Sequence, residues 1–295
     1  MRRLLLLVLL VSACAPVDRA THPQRLVGAG DIASCGEQWD TYTGRLIATL
    51  PGRAFAAGDM EYDGHWRCWT DSWGGETPRM YPSVGNHENR AAYLDYWRDR
   101  GMRPRHGTSE RYWFDVGAAR VFMLNSQYDI AESAAFLREH SDDRLCEVAI
   151  WHHPYVSDGQ LGQLPATDPR HDDIGKVRPL WEAAYDIGVD LVINGHDHNY
   201  QRFTKLDRAG RFVGPGYRGV REIVVGTGGR HLNRYFPKGL HQGSRAYDSN
   251  SYGVLEVKLH RADDPGEIGF EFHPADTPDP RDSMFRDEGV FTCGR

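Results

Sequence analysis

Apolar runs that end in a polar cluster recur along the chain. Five of them have the length and apolar character of buried β-strands, and each is followed by carboxylate, amide or imidazole side chains. These runs are Leu26–Gly30, Arg53–Gly58, Met80–Gly85, Glu147–Trp151 and Asp190–Asn194. Ligand sites in α/β proteins form at the carboxyl ends of strands, so we expect the polar clusters to meet in one crevice.

Segments whose apolar residues recur at helical spacing lie between these runs. They are Trp39–Leu50, Ala91–Arg100, Ala131–His140 and Val177–Ile187. Two further strands are predicted at residues 112–114 and 121–124, with a turn between them, and β-rich runs follow at 221–225, 252–259 and 268–272. The alternation of strands and helices predicts the α/β class.

The first residues have the pattern of an export signal. Three residues with two arginines precede the apolar run Leu4–Val11, which is too short to span a bilayer. The next residues, Ser12-Ala13-Cys14, resemble the lipobox of bacterial lipoproteins, in which the cysteine is lipidated after cleavage. An ordinary secretory signal is the alternative. We predict a signal peptide over 1–14, a tether over 15–24 and one domain over 25–295, lipid-anchored to the bacterial cell envelope or secreted.

Export changes what the other cysteines imply. Four remain, an even number in an oxidising compartment, and they permit three disulfide pairings. Cys35 and Cys68 each follow an aspartate of a polar cluster, which favours a bond between them. Cys146 would then tie Cys293, in the C-terminal tail, to a core strand. A zinc site built from these cysteines is disfavoured, because no two of them have CxxC spacing.

The charge balance restricts the partners. The chain has 35 Lys and Arg against 41 Asp and Glu, a formal net charge of −6, and no basic stripe typical of nucleic-acid binding is evident. We therefore expect a small-molecule partner, with membrane contact only through the lipid anchor.

The polar clusters offer the mixture of oxygen and nitrogen ligands that first-row metal ions accept. They are Gly30-Asp31, Gly58-Asp59-Met60-Glu61-Tyr62, Gly85-Asn86-His87-Glu88, Trp151-His152-His153-Pro154 and Gly195-His196-Asp197-His198. A single Gly-Asp pair is more often a turn or a helix cap. Five clusters in this order, each at a strand end, predict a metal site in which one carboxylate bridges two ions.

In this order the clusters resemble the motifs of the calcineurin-like metallophosphoesterases, and most of all those of the purple acid phosphatases. The resemblance covers residues 26–205 and implies a four-layered αββα sandwich of two mixed β-sheets flanked by helices. Many members carry a histidine ligand two residues after the first aspartate, where this chain has Ala33. The purple acid phosphatases instead use a tyrosine three residues after the second aspartate, and Tyr62 has that position.

The resemblance implies a role for individual residues. The first ion would be held by Asp31, Asp59, Tyr62 and His198. The second would be held by Asp59, Asn86, His152 and His196. His152 is preferred to His153 because it matches the H-x-P spacing of the family. A phenolate ligand favours Fe³⁺ in the first site, and Zn²⁺, Mn²⁺ or Fe²⁺ suits the second.

The same resemblance places His87 over the leaving group as a proton donor; a purely structural histidine is the alternative. We expect His153 and Arg202 to bind the substrate, although Arg202 could equally pair with an acid at the surface. The expected reaction is hydrolysis of phosphate esters by in-line attack of a metal-activated water, as in an acid phosphomonoesterase. Two alternatives stay open: a phosphodiesterase acting on nucleotides or lipid head groups, and a non-catalytic, lipid-anchored binding protein.

Overall fold

The computed structural model describes residues 24–144, 146–160, 162, 175–259 and 266–294. The predicted signal peptide, its Cys14 and the tether up to residue 23 lie outside these ranges. Gln24, the last residue of the predicted tether, is already the first residue of strand β1 and pairs with Leu259.

Three parallel strands form one half of the first sheet, and each lies in an apolar run predicted from the sequence. The other half is antiparallel, and the order across the sheet is β14-β13-β12-β1-β2-β3. The bounds are β1 Gln24–Ala29, β2 Arg53–Ala57, β3 Met80–Ser83, β12 Gly253–Leu259, β13 Glu267–Pro274 and β14 Asp287–Thr292.

The second sheet has eight strands in the order β11-β9-β10-β8-β7-β6-β5-β4. Its centre, from β10 to β6, is parallel, and antiparallel strands flank it on both sides. The bounds are β4 Gly107–Thr108, β5 Arg111–Val116, β6 Ala119–Met123, β7 Cys146–Ile150, β8 Leu191–Asn194, β9 Tyr200–Leu206, β10 Val220–Val225 and β11 Ser244–Asp248.

Helices cover the outer faces of both sheets. They are α1 Trp39–Thr49, α2 Arg67–Ser72, α3 Arg90–Asp99, α4 Ile130–His140 and α5 Arg178–Ile187, with a 3₁₀ helix at Gly74–Arg79. Alternate residues of β7 show the layering: Val148 and Ile150 enter the core shared with the first sheet, whereas Ala149 packs with the residues of α4 and α5. The predicted α/β fold of two mixed sheets with flanking helices is confirmed. Within the described ranges, no helix combines the length and the apolar character that crossing a membrane requires.

Both disulfides join the cysteines that were expected to pair. Cys35 is bonded to Cys68, with Cα atoms 5.3 Å apart, and this bond links the segments that follow β1 and β2. Cys146, the first residue of β7, is bonded to Cys293, directly after β14, with Cα atoms 5.6 Å apart. The second bond therefore connects the two sheets across 147 positions of sequence.

Candidate metal centre

The polar clusters lie where strands of both sheets end. Asp31, Asp59 and Asn86 follow β1, β2 and β3 of the first sheet, while His152 follows β7 of the second. His196 and His198 follow β8, and the contacts described below join the side chains from the two sheets. The carboxyl ends of parallel strands from both sheets thus meet at one site, as the sequence predicted.

Sharp backbone turns direct these side chains inward. Asp31, Asp59 and His196 have φ angles of 59°, 49° and 70°, in the left-handed region that is uncommon for residues other than glycine. Gly85 leaves the space that Asp59 occupies, because a Cβ atom at position 85 would lie 2.1 Å from Asp59 Oδ1. The close approach of the loops therefore depends on glycine at this position.

Three donor atoms form a first cluster. The Tyr62 hydroxyl donates to Asp31 Oδ1 at 2.9 Å and lies 3.1 Å from His198 Nε2. His198 Nε2 is 3.3 Å from the same Asp31 oxygen. Tyr62 therefore lies beside the residues proposed to hold the first ion. Its hydroxyl is near enough to serve in place of the histidine ligand that many members of the resembled family carry at the position of Ala33.

A second cluster surrounds His152. Its Nε2 atom lies 2.9 Å from Asn86 Oδ1, 3.2 Å from Asp59 Oδ2 and 3.2 Å from His196 Nδ1. Ligand atoms of Asp31, Asp59 and His152 all lie within 4.8 Å of one another. Asp59 thus belongs to the second cluster and lies within 4.8 Å of Asp31 in the first.

The spacing of these atoms fits metal coordination. Ligands bound at about 2.0–2.2 Å to one ion are separated by about 2.8–3.1 Å along the edge of an octahedron and by about 3.3–3.6 Å along the edge of a tetrahedron. The contacts within each cluster, 2.9 to 3.3 Å, lie within the span of these distances. The donor set of carboxylate, phenol, amide and imidazole suits first-row ions.

Two of the histidines are held with one nitrogen facing the site. His152 Nδ1 donates to the carbonyl of Ala57 at 2.8 Å, and His198 Nδ1 donates to the carbonyl of His231 at 2.9 Å. Such bonds fix the ring orientation and leave Nε2 as the metal-binding atom. The backbone therefore preorganises one imidazole in each cluster.

Burial and mutual attraction set the charges of the site. Burial disfavours charge on both Asp59 and His152, but their attraction outweighs it, so the pKa of Asp59 is lowered and that of His152 is raised to about 9. Burial, reinforced by the negative charge of Asp31, raises the pKa of Tyr62 well above its ordinary value. A nearby cation would reverse this effect by favouring the phenolate.

His87 lies at the open side of the site. Its side chain is 50% exposed, its Nε2 is 4.0 Å from Asp59 Oδ2, and its backbone N–H donates to Asp59 Oδ1 at 2.8 Å. The ring packs 4.4 Å from that of Tyr62, centroid to centroid. His87 is therefore accessible to a substrate while its main chain is tied to the proposed bridging ligand.

His153 presents a buried donor beside the second cluster. Ser126 Oγ accepts the backbone N–H groups of His152 and His153, so its hydroxyl donates to His153 Nδ1 at 2.9 Å. Burial lowers the pKa of His153 well below its ordinary value, so the neutral ring carries its proton on Nε2. That atom is fully buried without a hydrogen-bond partner among the described residues, and the ring lies 4.4 Å from that of His196.

Two buried acids beside the ligand residues hold the ligand loops in place, and the sequence had suggested this orienting role for Asp197. Glu88 accepts the backbone N–H groups of Asp59, Met60 and Gly85, and burial together with the charge of Asp59 raises its pKa to about 8. Asp197 accepts hydrogen bonds from four side chains: Ser157, Asn199, Gln201 and Asn233. Their positions within the motifs Asn86-His87-Glu88 and His196-Asp197-His198 are the signal that marks them.

Arg230 is a further residue at the site that the sequence did not single out for a role. Its guanidinium carbon lies 4.7 Å from the centre of the Tyr62 ring. Hydrogen bonds to Ser34 and Glu37, at 2.8 and 2.7 Å, hold it there. The glycine-rich segment before Arg230 is the sequence feature that could have drawn attention to it.

The structure places Arg202 in a different environment. Its guanidinium forms two hydrogen bonds, at 2.6 and 2.9 Å, to the carboxylate of Asp287 in β14, and it also packs over the ring of Phe270. This bidentate pair occupies the donors that were expected to bind phosphate. The contact corresponds to the alternative considered for Arg202, a pair with an acidic residue.

No protein-family model matches the sequence, and no curated protein is similar to it in sequence. Solved structures, in contrast, share its fold. PhoD superposes with a TM-score of 0.66 at 11% identity, over 92% of this chain and 70% of PhoD. A purple acid phosphatase from yellow lupin (Lupinus luteus) seeds gives 0.61 at 16% identity, over 91% of this chain and 53% of the lupin protein. The chain therefore spans about half the length of that phosphatase.

A third similar structure is that of GAP50, named as the anchor in the inner membrane complex of Plasmodium. It superposes with a TM-score of 0.60 at 15% identity and covers 93% of this chain and 90% of its own. Together these structures establish that the chain has the calcineurin-like metallophosphoesterase fold that its motifs resemble.

Proposed function

We propose that the chain is an exported, binuclear metal-dependent phosphoesterase, an acid-phosphatase-like phosphomonoesterase. The observation that carries the proposal is the pair of donor clusters that meet at Asp59, with spacings typical of metal ligands. The purple acid phosphatase among the similar structures supports the choice of substrate class.

Each residue of the site has a part in this proposal. Asp31, Asp59, Tyr62 and His198 would hold one ion, for which Fe³⁺ is preferred, and Asp59, Asn86, His152 and His196 would hold a second, for which Zn²⁺, Mn²⁺ or Fe²⁺ is preferred. Bound ions would clamp phosphate oxygens and lower the pKa of a coordinated water. His87, exposed above Asp59, donates a proton to the leaving oxygen. The buried His153 Nε2–H donates to a phosphate oxygen near the second cluster.

The decisive experiment compares turnover of p-nitrophenyl phosphate and bis-p-nitrophenyl phosphate by the purified protein, together with elemental analysis. We expect two metal ions per chain, loss of activity on chelation, and preference for the monoester. Preference for the diester would favour the phosphodiesterase alternative. Asp59→Asn should abolish turnover, whereas Asp287→Asn, which removes a carboxylate on β14, should retain it. Full activity of Asp59→Asn would contradict the site.

The non-catalytic alternative has one specific observation in its favour. GAP50, a protein of the same fold, is described as an anchor, so the fold does not by itself imply catalysis. The two functions differ in their measurable behaviour: a binding protein on this scaffold would hydrolyse neither ester even when its metal content was complete. The presence of every expected donor in this chain, together with His87, favours the enzyme.

A further inference from the structure

A cationic groove lies at the opposite end of the strands from the metal centre. It has a volume of about 590 Å³ and runs between β3, the edge of the first sheet, and the hairpin β4–β5, the edge of the second. The segment after α3, residues 100–106, forms its outer wall. We call it the arginine groove, after four of its lining residues: Arg53, Arg100, Arg103 and Arg105.

The groove is strongly positive although the protein is acidic overall. Its lining contains one carboxylate, that of Asp115, and this group pairs with Arg120. Arg53 and Arg100 bind backbone carbonyls instead, those of Asp115 and Tyr96, and Arg103 does the same. Among the described residues no carboxylate forms an ion pair with any of the four arginines, so their charges remain available to an anion.

Aromatic rings line the groove between these charges. Tyr81 and Phe114 pack with centroids 4.0 Å apart, and Arg53 lies over Phe114 at 5.1 Å. Trp113 stacks on His106 at 3.8 Å. Arginine with Trp and Tyr is the combination found where proteins meet the headgroup region of a bilayer, because the rings are apolar with a polar edge and guanidinium binds phosphate oxygens in pairs.

The position of the groove agrees with the predicted lipid anchor. Leu26 of β1 lies opposite Arg53 of β2, so the chain enters the fold at Gln24 within about 10 Å of the groove. Nine residues lie between Cys14 and Gln24, which gives the tether a reach of at most about 35 Å. Asp59 lies six residues beyond Arg53 along the same strand direction, about 20 Å from it. The predicted anchor thus joins the fold beside the groove, at the end of the strands away from the metal centre, and its tether is long enough for the groove to reach the bilayer.

We propose that the arginine groove binds the anionic headgroups of the membrane to which the chain is anchored. The phosphodiester of a phospholipid supplies the paired oxygens that guanidinium groups recognise. This contact orients the metal centre toward the aqueous phase, and it is independent of whether that centre is catalytic.

The test measures binding of the full chain to vesicles by co-sedimentation. Vesicles of phosphatidylcholine alone are compared with vesicles containing 30 mol% phosphatidylglycerol, at low and high salt, so the anchor contributes equally to both. Basic residues near an anionic surface each strengthen binding by roughly fivefold. We expect a preference for phosphatidylglycerol that salt weakens, and a loss of at least tenfold in that preference for the triple variant Arg100→Gln, Arg103→Gln, Arg105→Gln.

A matched control changes net charge by the same amount elsewhere. Arg208→Gln, Arg211→Gln and Arg281→Gln replace three other exposed arginines, and this protein should keep the preference. An equal loss in the control, or no preference in the wild type, would overturn the proposal. Hydrogen exchange of residues 98–106 should slow on phosphatidylglycerol vesicles. The same protection by inorganic phosphate would show instead a site for a free anion and would also overturn it.

Discussion

Removing the hydroxyl of Tyr62 tests the proposed phenolate ligand of the first ion. Tyr62→Phe keeps the ring between His87 and Arg230 but removes the oxygen that lies 2.9 Å from Asp31 and 3.1 Å from His198. If that oxygen is a ligand, the first ion loses one of four protein donors, while the shape of the site is preserved. The change therefore isolates coordination from packing.

The expected loss of stability follows from the coupling between metal binding and folding. Loss of even a supporting residue around a metal costs about 10- to 100-fold in affinity, and loss of a ligand should reach at least the upper value. A 100-fold weaker affinity removes about 2.7 kcal/mol of metal-dependent stabilisation. For a chain of this size that corresponds to a fall of roughly 5 °C in the melting temperature of the metal-loaded protein. The absorption of a tyrosinate–iron(III) centre would disappear at the same time.

The measurements are metal content, visible spectrum and thermal unfolding with and without chelator. Tyr200→Phe is the matched control, because it removes a buried hydroxyl that donates to a carboxylate, that of Asp287, at the same distance of 2.9 Å. Both variants should lose stability in the chelated protein, but only Tyr62→Phe should lose the stabilisation by metal. If Tyr62→Phe retains both ions, the spectrum and the metal-dependent shift in melting temperature, Tyr62 is not a ligand.

Three further predictions concern catalysis, crosslinking and pH. His87→Asn should lower kcat by about 10²- to 10⁴-fold with unchanged metal content, and a parallel loss of metal would contradict its role as proton donor. Replacing Cys146 and Cys293 by serine should lower the free energy of unfolding by about 5 kcal/mol, measured by denaturant titration, because the bond closes a loop of 147 positions. Burial raises the pKa of Glu222 from 4.5 to about 8. Folded Glu222 therefore keeps a proton that the unfolded chain releases, and stability should fall by up to about 5 kcal/mol between pH 4.5 and 8. Glu222→Gln should flatten this dependence, and an unchanged pH profile would contradict the assignment.

The elements that sequence predicted best are those with the strongest apolar signal. All five apolar runs became strands, and most of their residues are buried; in β7 and β8 every position is buried, as expected of central parallel strands. The strands β4, β9, β11 and β14 were not predicted. In β14, buried and exposed positions do not separate into apolar and polar residues, because Glu288 and Val290 both face solvent. Such strands are defined by their partners in the sheet more than by their own composition.

The ligand residues were predictable for a different reason. Each lies within a few residues of a strand end, so local sequence marks it, and the order of motifs along the chain resembles a known family. The contacts that support them are not local. The Thr43 hydroxyl, for example, donates a hydrogen bond to the carbonyl of Gly228, 185 positions away. The guanidinium of Arg202 likewise pairs with the carboxylate of Asp287, 85 positions away. The sequence therefore left two roles open for Arg202, substrate binding and pairing with an acid, and only its neighbours in the fold distinguish them.

The sequence by itself determined the class of fold and the types of residue in the metal-ligand clusters, because these depend on the local composition and polarity of short segments, whereas it only favoured one of three cysteine pairings. Tertiary structure alone decided which atoms face one another. It set the contacts of the Tyr62 hydroxyl with Asp31 and His198, it gave Glu88 and Asp197 their hydrogen-bond partners, and it assembled the arginine groove from two sheet edges. Spacing between atoms of distant segments is fixed by packing of the whole core, which no short stretch of sequence encodes.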